Sequence, residues 1–182
     1  GKYTFTLRSG SQMLTTEAEI LANPLYPTTA ATYKEYHLAM SSMEAELTTM
    51  HRTVNSLYEK QKQLEGVLAS LPAGDKYAAV KRDGEALLKK MKAWDEEMVQ
   101  RKSRAYDDVE NFPNKFTANY LFLINQTESD IPRVNQPNTD LLKKLTAEWS
   151  ALKAKSNEML NKDIPALNKQ LWDAGFGAIW KD

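Results

Sequence analysis

The chain has 182 residues, with 24 Lys and Arg against 24 Asp and Glu, so its formal net charge is zero. A chain of this length buries roughly 70% of its unfolded surface, enough for one domain with a real core. The charge balance argues against nucleic-acid binding, which draws most of its affinity from neutralised phosphates. The absence of cysteine excludes disulfides, thiolate metal sites and thiol nucleophiles, and no apolar run approaches the ~20 residues of a membrane span.

Residues 1–10 lack the charged and apolar regions of a signal peptide. From Lys2 to Arg8 the residues alternate, with Tyr3, Phe5 and Leu7 pointing one way and Thr4, Thr6 and Arg8 the other. That pattern predicts a strand with one buried face. Ser9-Gly10-Ser11 reads as a turn, and Gln12–Leu21 as the returning strand, with Leu14, Thr16, Ala18 and Ile20 on one side. A lone two-stranded hairpin is marginal in water. Residues 1–22 are therefore expected to pack on the helices or, the favoured reading, to be the stump of a β segment of a longer chain. Pro24 and Pro27 make residues 23–27 a stiff linker, and Thr28 or Thr29 can cap a helix after it.

Residues 28–182 read as a helical bundle. Tyr36, Met40, Met43, Leu47, Met50, Val54, Leu57, Gln61, Leu64, Leu68 and Leu71 are spaced alternately four and three apart, a heptad-like seam. A helix carrying it is about 60 Å long and needs partners beside it. Pro72-Ala73-Gly74-Asp75 predicts a turn in which Gly74 stops the first helix and Asp75 caps the second. The second stripe is Tyr77, Val80, Gly84, Leu87, Met91, Trp94 and Met98, in a helix expected to run to about Glu110. Gly84 within that stripe implies a close helix approach. A short helix is expected from Phe116 to about Thr127, then a loop over Ser129–Asn138, with Asn138 or Thr139 capping the last helix. Its stripe runs from Leu142, Leu145, Trp149 and Leu152 to Met159, Leu160, Ile164, Leu167 and Leu171. Pro165 predicts a kink or restart near Asp163. Gly175-Phe176-Gly177 ends the helix, and Ile179 and Trp180 are expected to fold back on the bundle end. The fold class is mainly α: an antiparallel up-down bundle of three long helices and a short one, preceded by a β-hairpin.

Residues that carry chemistry are sparse. His37 and His51 share a face of one helix but lie about 21 Å apart along it, too far for a common metal. Neither has a Glu three residues before it, as inward-facing di-iron pairs require. Glu44, Glu46, Glu59 and Glu65 miss the first seam, so paired carboxylates facing a cleft are not expected. The basic clusters Lys89, Lys90, Lys92 and Arg101, Lys102, Arg104 sit beside acids and read as solvated mixed-charge faces. Met40, Met43 and Met50 lie on the seam, and Trp94, Trp149 and Trp172 at or near stripe positions, so packing is the expectation for all six. Asn125-Gln126-Thr127 is a glycosylation sequon of a kind that short motifs produce by chance. The candidate for an exposed binding aromatic is Trp180. No catalytic residue, cofactor or metal ligand is assigned.

Ser129-Asp130-Ile131-Pro132, Pro137-Asn138-Thr139 and Asp163-Ile164-Pro165-Ala166-Leu167-Asn168, with Leu171 and Gly175, resemble the C-terminal region of large exported bacterial BNR-repeat, sortilin-like glycosyl hydrolases. In that family a sialidase-like β-propeller comes first, an Ig-like segment and a short Asp-Pro-Arg-type linker follow, and a helical region closes the chain. Here Asn23-Pro24-Leu25 stands where Asp-Pro-Arg is usual, Pro137-Asn138-Thr139 where Pro-Thr is usual, and the propeller's Asp-box is absent. The resemblance implies an exported protein, and a non-catalytic helical accessory domain whose partners are the upstream propeller and Ig-like segments. Two other readings fit the residues: a self-associating coiled-coil scaffold, and an enzyme or carbohydrate- or protein-binding module with a site at the helix ends near Trp180.

Overall fold

The computed structural model describes residues 1–129 and 132–179. The elements in order are β1 (Lys2–Ser9), β2 (Gln12–Glu19), α1 (Ala30–Ser70), α2 (Asp75–Met98), a 3-10 turn (Tyr106–Glu110), α3 (Phe116–Glu128), α4 (Gln136–Glu158), a π turn (Met159–Asp163) and α5 (Ile164–Asp173). The protein is mainly helical with an N-terminal antiparallel hairpin, as its periodicities predict.

The helices form three rods. The first is α1, 41 residues long. The second is α2 followed by α3, both running antiparallel to α1. The pairings fix this direction: Gly84 meets Leu64 and Leu68, Lys92 pairs with Glu65, and the Arg101 guanidinium stacks 3.8 Å above the Tyr58 ring. The third rod is α4 with α5, which returns beside the other two. Trp149 Nε1 donates to Glu46 at 2.7 Å, Lys155 reaches Glu97 at 2.9 Å and Lys90 reaches Asp163 at 2.6 Å.

The core is the set of stripes. Met40, Met43, Met50, Val54, Leu57 and Leu64 from α1 meet Val80, Leu87, Met91, Trp94 and Met98 from α2; Phe116, Tyr120, Leu123 and Ile124 from α3 cover the earlier half of α1. Leu145, Trp149, Leu152, Met159, Ile164, Leu167 and Leu171 complete it. Trp94 hides its indole by donating Nε1 to the Leu152 carbonyl at 2.9 Å. The Phe116 and Trp149 rings stack at 6.1 Å.

The helix ends are set by local chemistry, the first as expected and several others not. Thr29 caps α1, its hydroxyl accepting from Thr32 N–H at 3.2 Å. Gly74 is the residue before α2, at φ 142°, a conformation other residues rarely adopt, and Asp75 lies in the first turn rather than capping it. Asn135, not Asn138 or Thr139, caps α4 through Asn138 N–H at 2.8 Å. Pro137 thus lies inside the first turn, where its missing N–H has no helical partner to lose. The largest correction is α2, which stops at Met98 and not near Glu110. Its apolar stripe ends there, and the chain turns back on itself.

The kink falls where it is predicted, as a π turn in which Ile164 N–H bonds the Met159 carbonyl five residues back. The apolar stripe steps by five from Met159 to Ile164, and a wider turn absorbs that extra residue while keeping both side chains at 2% exposure or less. Trp172, expected at a packing position, is 76% exposed, because its neighbour Leu171 takes the core position and a helix turns about 100° per residue.

The hairpin departs most from a packed state. Its register runs unbroken from Lys2↔Glu19 to Ser9↔Gln12, around Gly10 at φ 58°. Yet every residue from 1 to 27 is exposed, including Tyr3 at 52% and Phe5 at 55%. The expected buried face exists as a pattern and is uncovered.

A Cβ at Gly84 would lie 2.7 Å from Leu68 Cδ2. Gly84→Leu gains about 1 kcal/mol of helix propensity, but should still lower unfolding free energy in urea by about 1–3 kcal/mol through overpacking. Unchanged or greater stability would show that α1 and α2 are not held this close.

Candidate functional site

Trp180, the aromatic singled out from sequence, lies outside the described residues. The segment before it is anchored: Asn168 both donates to the Ile179 carbonyl and accepts from Ile179 N–H, each at 2.7 Å, and Ile179 is buried. His37 and His51 are exposed on α1. Among the described residues no group of three or more His, Asp or Glu is placed to hold a metal ion, and no helix is long and apolar enough to cross a membrane. The sequon is sterically closed, since Thr127 is fully buried with its hydroxyl donating to the Leu123 carbonyl at 2.8 Å.

The most highly charged concavity, about 440 Å³, lies where α2 stops. Arg101 folds back onto the end of α2 and grips Asp95 with both Nε and Nη2, at 2.5 and 2.6 Å. Asp95 is 7% exposed, so its charge is tolerable only with this bidentate partner. The same guanidinium stacks on Tyr58. Below the pair, Glu65 bridges Lys92 at 2.8 Å and Lys62 at 2.9 Å. The Lys92 and Lys62 ammonium groups hold its carboxyl down at about 2, against an ordinary 4.5. The break itself is stitched shut. The Thr117 hydroxyl donates to the Met98 carbonyl at 2.9 Å, supplying a partner to a carbonyl the helix leaves open, and Gln100 Nε2 donates to the Pro113 carbonyl at 3.3 Å. The cleft therefore pairs its central charges internally, and its chemistry is that of a clamp.

This refines two expectations. Arg101 leaves the solvated face expected for the cluster Arg101, Lys102, Arg104 and grips Asp95, and Glu46 and Glu65, though off the first seam, each bond a side chain of another helix. The signal was present in the acid at position 95 directly after the stripe residue Trp94, followed six residues later by an arginine.

A second groove, of about 470 Å³, runs between α1 and the π turn, past Ser56, Lys60, Leu160, Asn161 and Ile164. Lys60 is 5% exposed, and its Nζ donates to the Ser56 hydroxyl at 3.2 Å. A serine beside a lysine can serve as an activated nucleophile, but acyl transfer also needs donors aimed at the developing oxyanion. The two amides lining this groove are engaged elsewhere, Asn161 Nδ2 with the Asn157 carbonyl and Asn168 Nδ2 with the Ile179 carbonyl.

What remains is the hairpin. Opposite residues share a face, so Tyr3, Phe5, Leu7, Leu14, Thr16 and Ala18 form one mainly apolar surface. A groove of about 400 Å³ lies along it.

No protein-family model matches the chain, and no curated protein or solved structure matches it.

Two outcomes follow from the clamp. Arg101→Ala leaves a buried carboxylate without its partner and should cost about 2–3 kcal/mol in urea unfolding; Arg101→Lys should recover less than half, lacking the fork. The Glu65 carboxyl has a lower pKa folded than unfolded, so its stabilisation is complete above about pH 4.5 and lost as pH falls toward about 2. Unfolding free energy measured between about pH 5 and about pH 2 should therefore fall less steeply in Glu65→Gln than in the parent chain.

Proposed function

We propose that this chain is a non-catalytic accessory domain whose bundle is a rigid body and whose hairpin is the attachment surface. One contrast carries the reading. The three rods bury their apolar stripes against one another, while the hairpin presents an aromatic face to water. Monomeric soluble proteins seldom leave a contiguous apolar face uncovered without an interaction that uses it. The resemblance to the C-terminal region of exported BNR-repeat, sortilin-like glycosyl hydrolases fits this arrangement, with the propeller and Ig-like segments of a longer chain as partners and residues 23–27 as the linker. In that reading the chemistry belongs to the propeller, and the protein acts outside the cytoplasm.

The alternative is a self-associating scaffold. The long α1 seam motivates it, but α2, α3 and α4 cover that seam from within the same chain, which favours a closed bundle.

The purified chain should turn over no aryl glycoside, and removal of residues 1–27 should leave the bundle's cooperative melt within a few degrees of the parent. Measurable glycoside turnover would overturn the accessory reading. A large loss of Tm would show that the hairpin supports the bundle instead of serving an external partner.

A further inference from the structure

We propose that the outer edge of β1 accepts a β-strand from a separate β-structured region, and that this incoming strand is acidic at both ends. The inference deepens the attachment reading above and rests on it.

Backbone pairing defines the edge. Gly1 and Ile20 exchange both of their hydrogen bonds, Gly1 N donating at 2.6 Å and Ile20 N at 2.9 Å. Hydrogen-bonded and open pairs alternate in an antiparallel ladder, so Tyr3, Phe5 and Leu7 use their amides inside the hairpin. Lys2, Thr4, Thr6 and Arg8 turn theirs outward. Two of the usual protective devices are missing from it: β1 and β2 contain no proline, and the register has no bulge, so charge alone guards the edge and selects what can pair there.

The charges on the two edges differ in sign. The outward row of β1 holds Lys2 and Arg8, and that of β2 holds Glu17 and Glu19. An incoming strand beside β1 meets a cation at each end of a seven-residue row, with Thr4 and Thr6 between. Opposite charges in facing positions stabilise a strand pair and like charges oppose it. Across the strand, its alternate residues continue the face of Tyr3, Phe5 and Leu7, so the partner supplies an apolar layer together with its edge.

A second copy of this chain fits poorly. Two hairpin faces stacked on each other bury only about 500 Å², well under the ~1,200 Å² of a stable interface. Pairing β1 with β1 about a centre at Phe5 sets Lys2 opposite Arg8. Repeated β1-on-β2 pairing matches the charges, but it advances only about 10 Å per copy, and a three-rod bundle is about 20 Å across.

The test uses the whole chain and two seven-residue peptides of alternating valine and threonine, one with glutamate and one with lysine at both ends. Amide shifts and exchange are followed as each peptide is titrated. The acidic peptide should protect the amides of Lys2, Thr4, Thr6 and Arg8 and bind at least about tenfold more tightly than the basic one. Thr4→Pro removes an outward N–H that the hairpin does not use, so it should abolish this protection while Phe5 and Thr16 stay paired. Equal response to both peptides, or protection along Met13, Thr15, Glu17 and Glu19, would overturn the edge assignment. No response to either would overturn strand addition, while the accessory reading would still be decided by the turnover assay. Dimerisation of the chain alone with the Thr4 and Thr6 amides protected would also overturn it, in favour of a second copy.

Discussion

A 41-residue helix carries an apolar stripe along most of its length, and no other helix among the described residues is long enough to cover it. The rest of the bundle follows from that constraint. The second rod has to be assembled from two pieces, and the junction between them would expose the last carbonyls of α2 and the first amides of α3. Thr117 bonds the Met98 carbonyl that the broken helix leaves open, while Arg101 grips the Asp95 side chain and Gln100 ties to the Pro113 carbonyl in the connecting loop. Asp95 is the anchor, because its buried carboxylate is stable only while Arg101 holds it. The cleft over Tyr58 and Glu65 is a product of the same break. The third rod answers the constraint differently, staying continuous and inserting one π turn so that its stripe remains on the core.

The hairpin stands outside this logic. Its residues obey strand patterning closely, with β-branched and aromatic residues alternating and a glycine at the turn, yet the pattern is not satisfied within the chain. Apolar burial is the dominant favourable term in folding, and here the bundle captures it while the hairpin does not. In the proposed accessory role, a partner supplies the layer that this amphipathic ribbon leaves uncovered. That is the physical content of the functional reading, and it needs no catalytic residue in the bundle.

Much of this was legible beforehand. The stripes of α1 and α2 alternate by three and four without interruption, and each of their members is buried or partly buried. Gly84 announced the close approach and Pro165 the kink. The helix ends were harder to read, since they depend on partners beyond the local pattern. At Met98 the apolar stripe runs out and Arg101, past the stop, grips Asp95, while α4 is capped by Asn135 with a proline inside its first turn. Trp172 was misplaced because one position along a helix is about 100° of rotation, enough to carry a bulky side chain from core to solvent. Lys60 was invisible to patterning: a lysine beside the seam reads as a solvent residue until Ser56 and the π turn are seen to enclose it.

Native-state hydrogen exchange on the isolated chain tests the central contrast directly. The inward amides of Tyr3, Phe5, Leu7, Leu14 and Thr16 should exchange orders of magnitude faster than those of Val54, Met91, Leu123 and Leu152, because a two-stranded ribbon is marginal by itself and the bundle opens only globally. Hairpin amides as slow as the bundle's would contradict the account, since they would mean that the aromatic face is already covered within this chain.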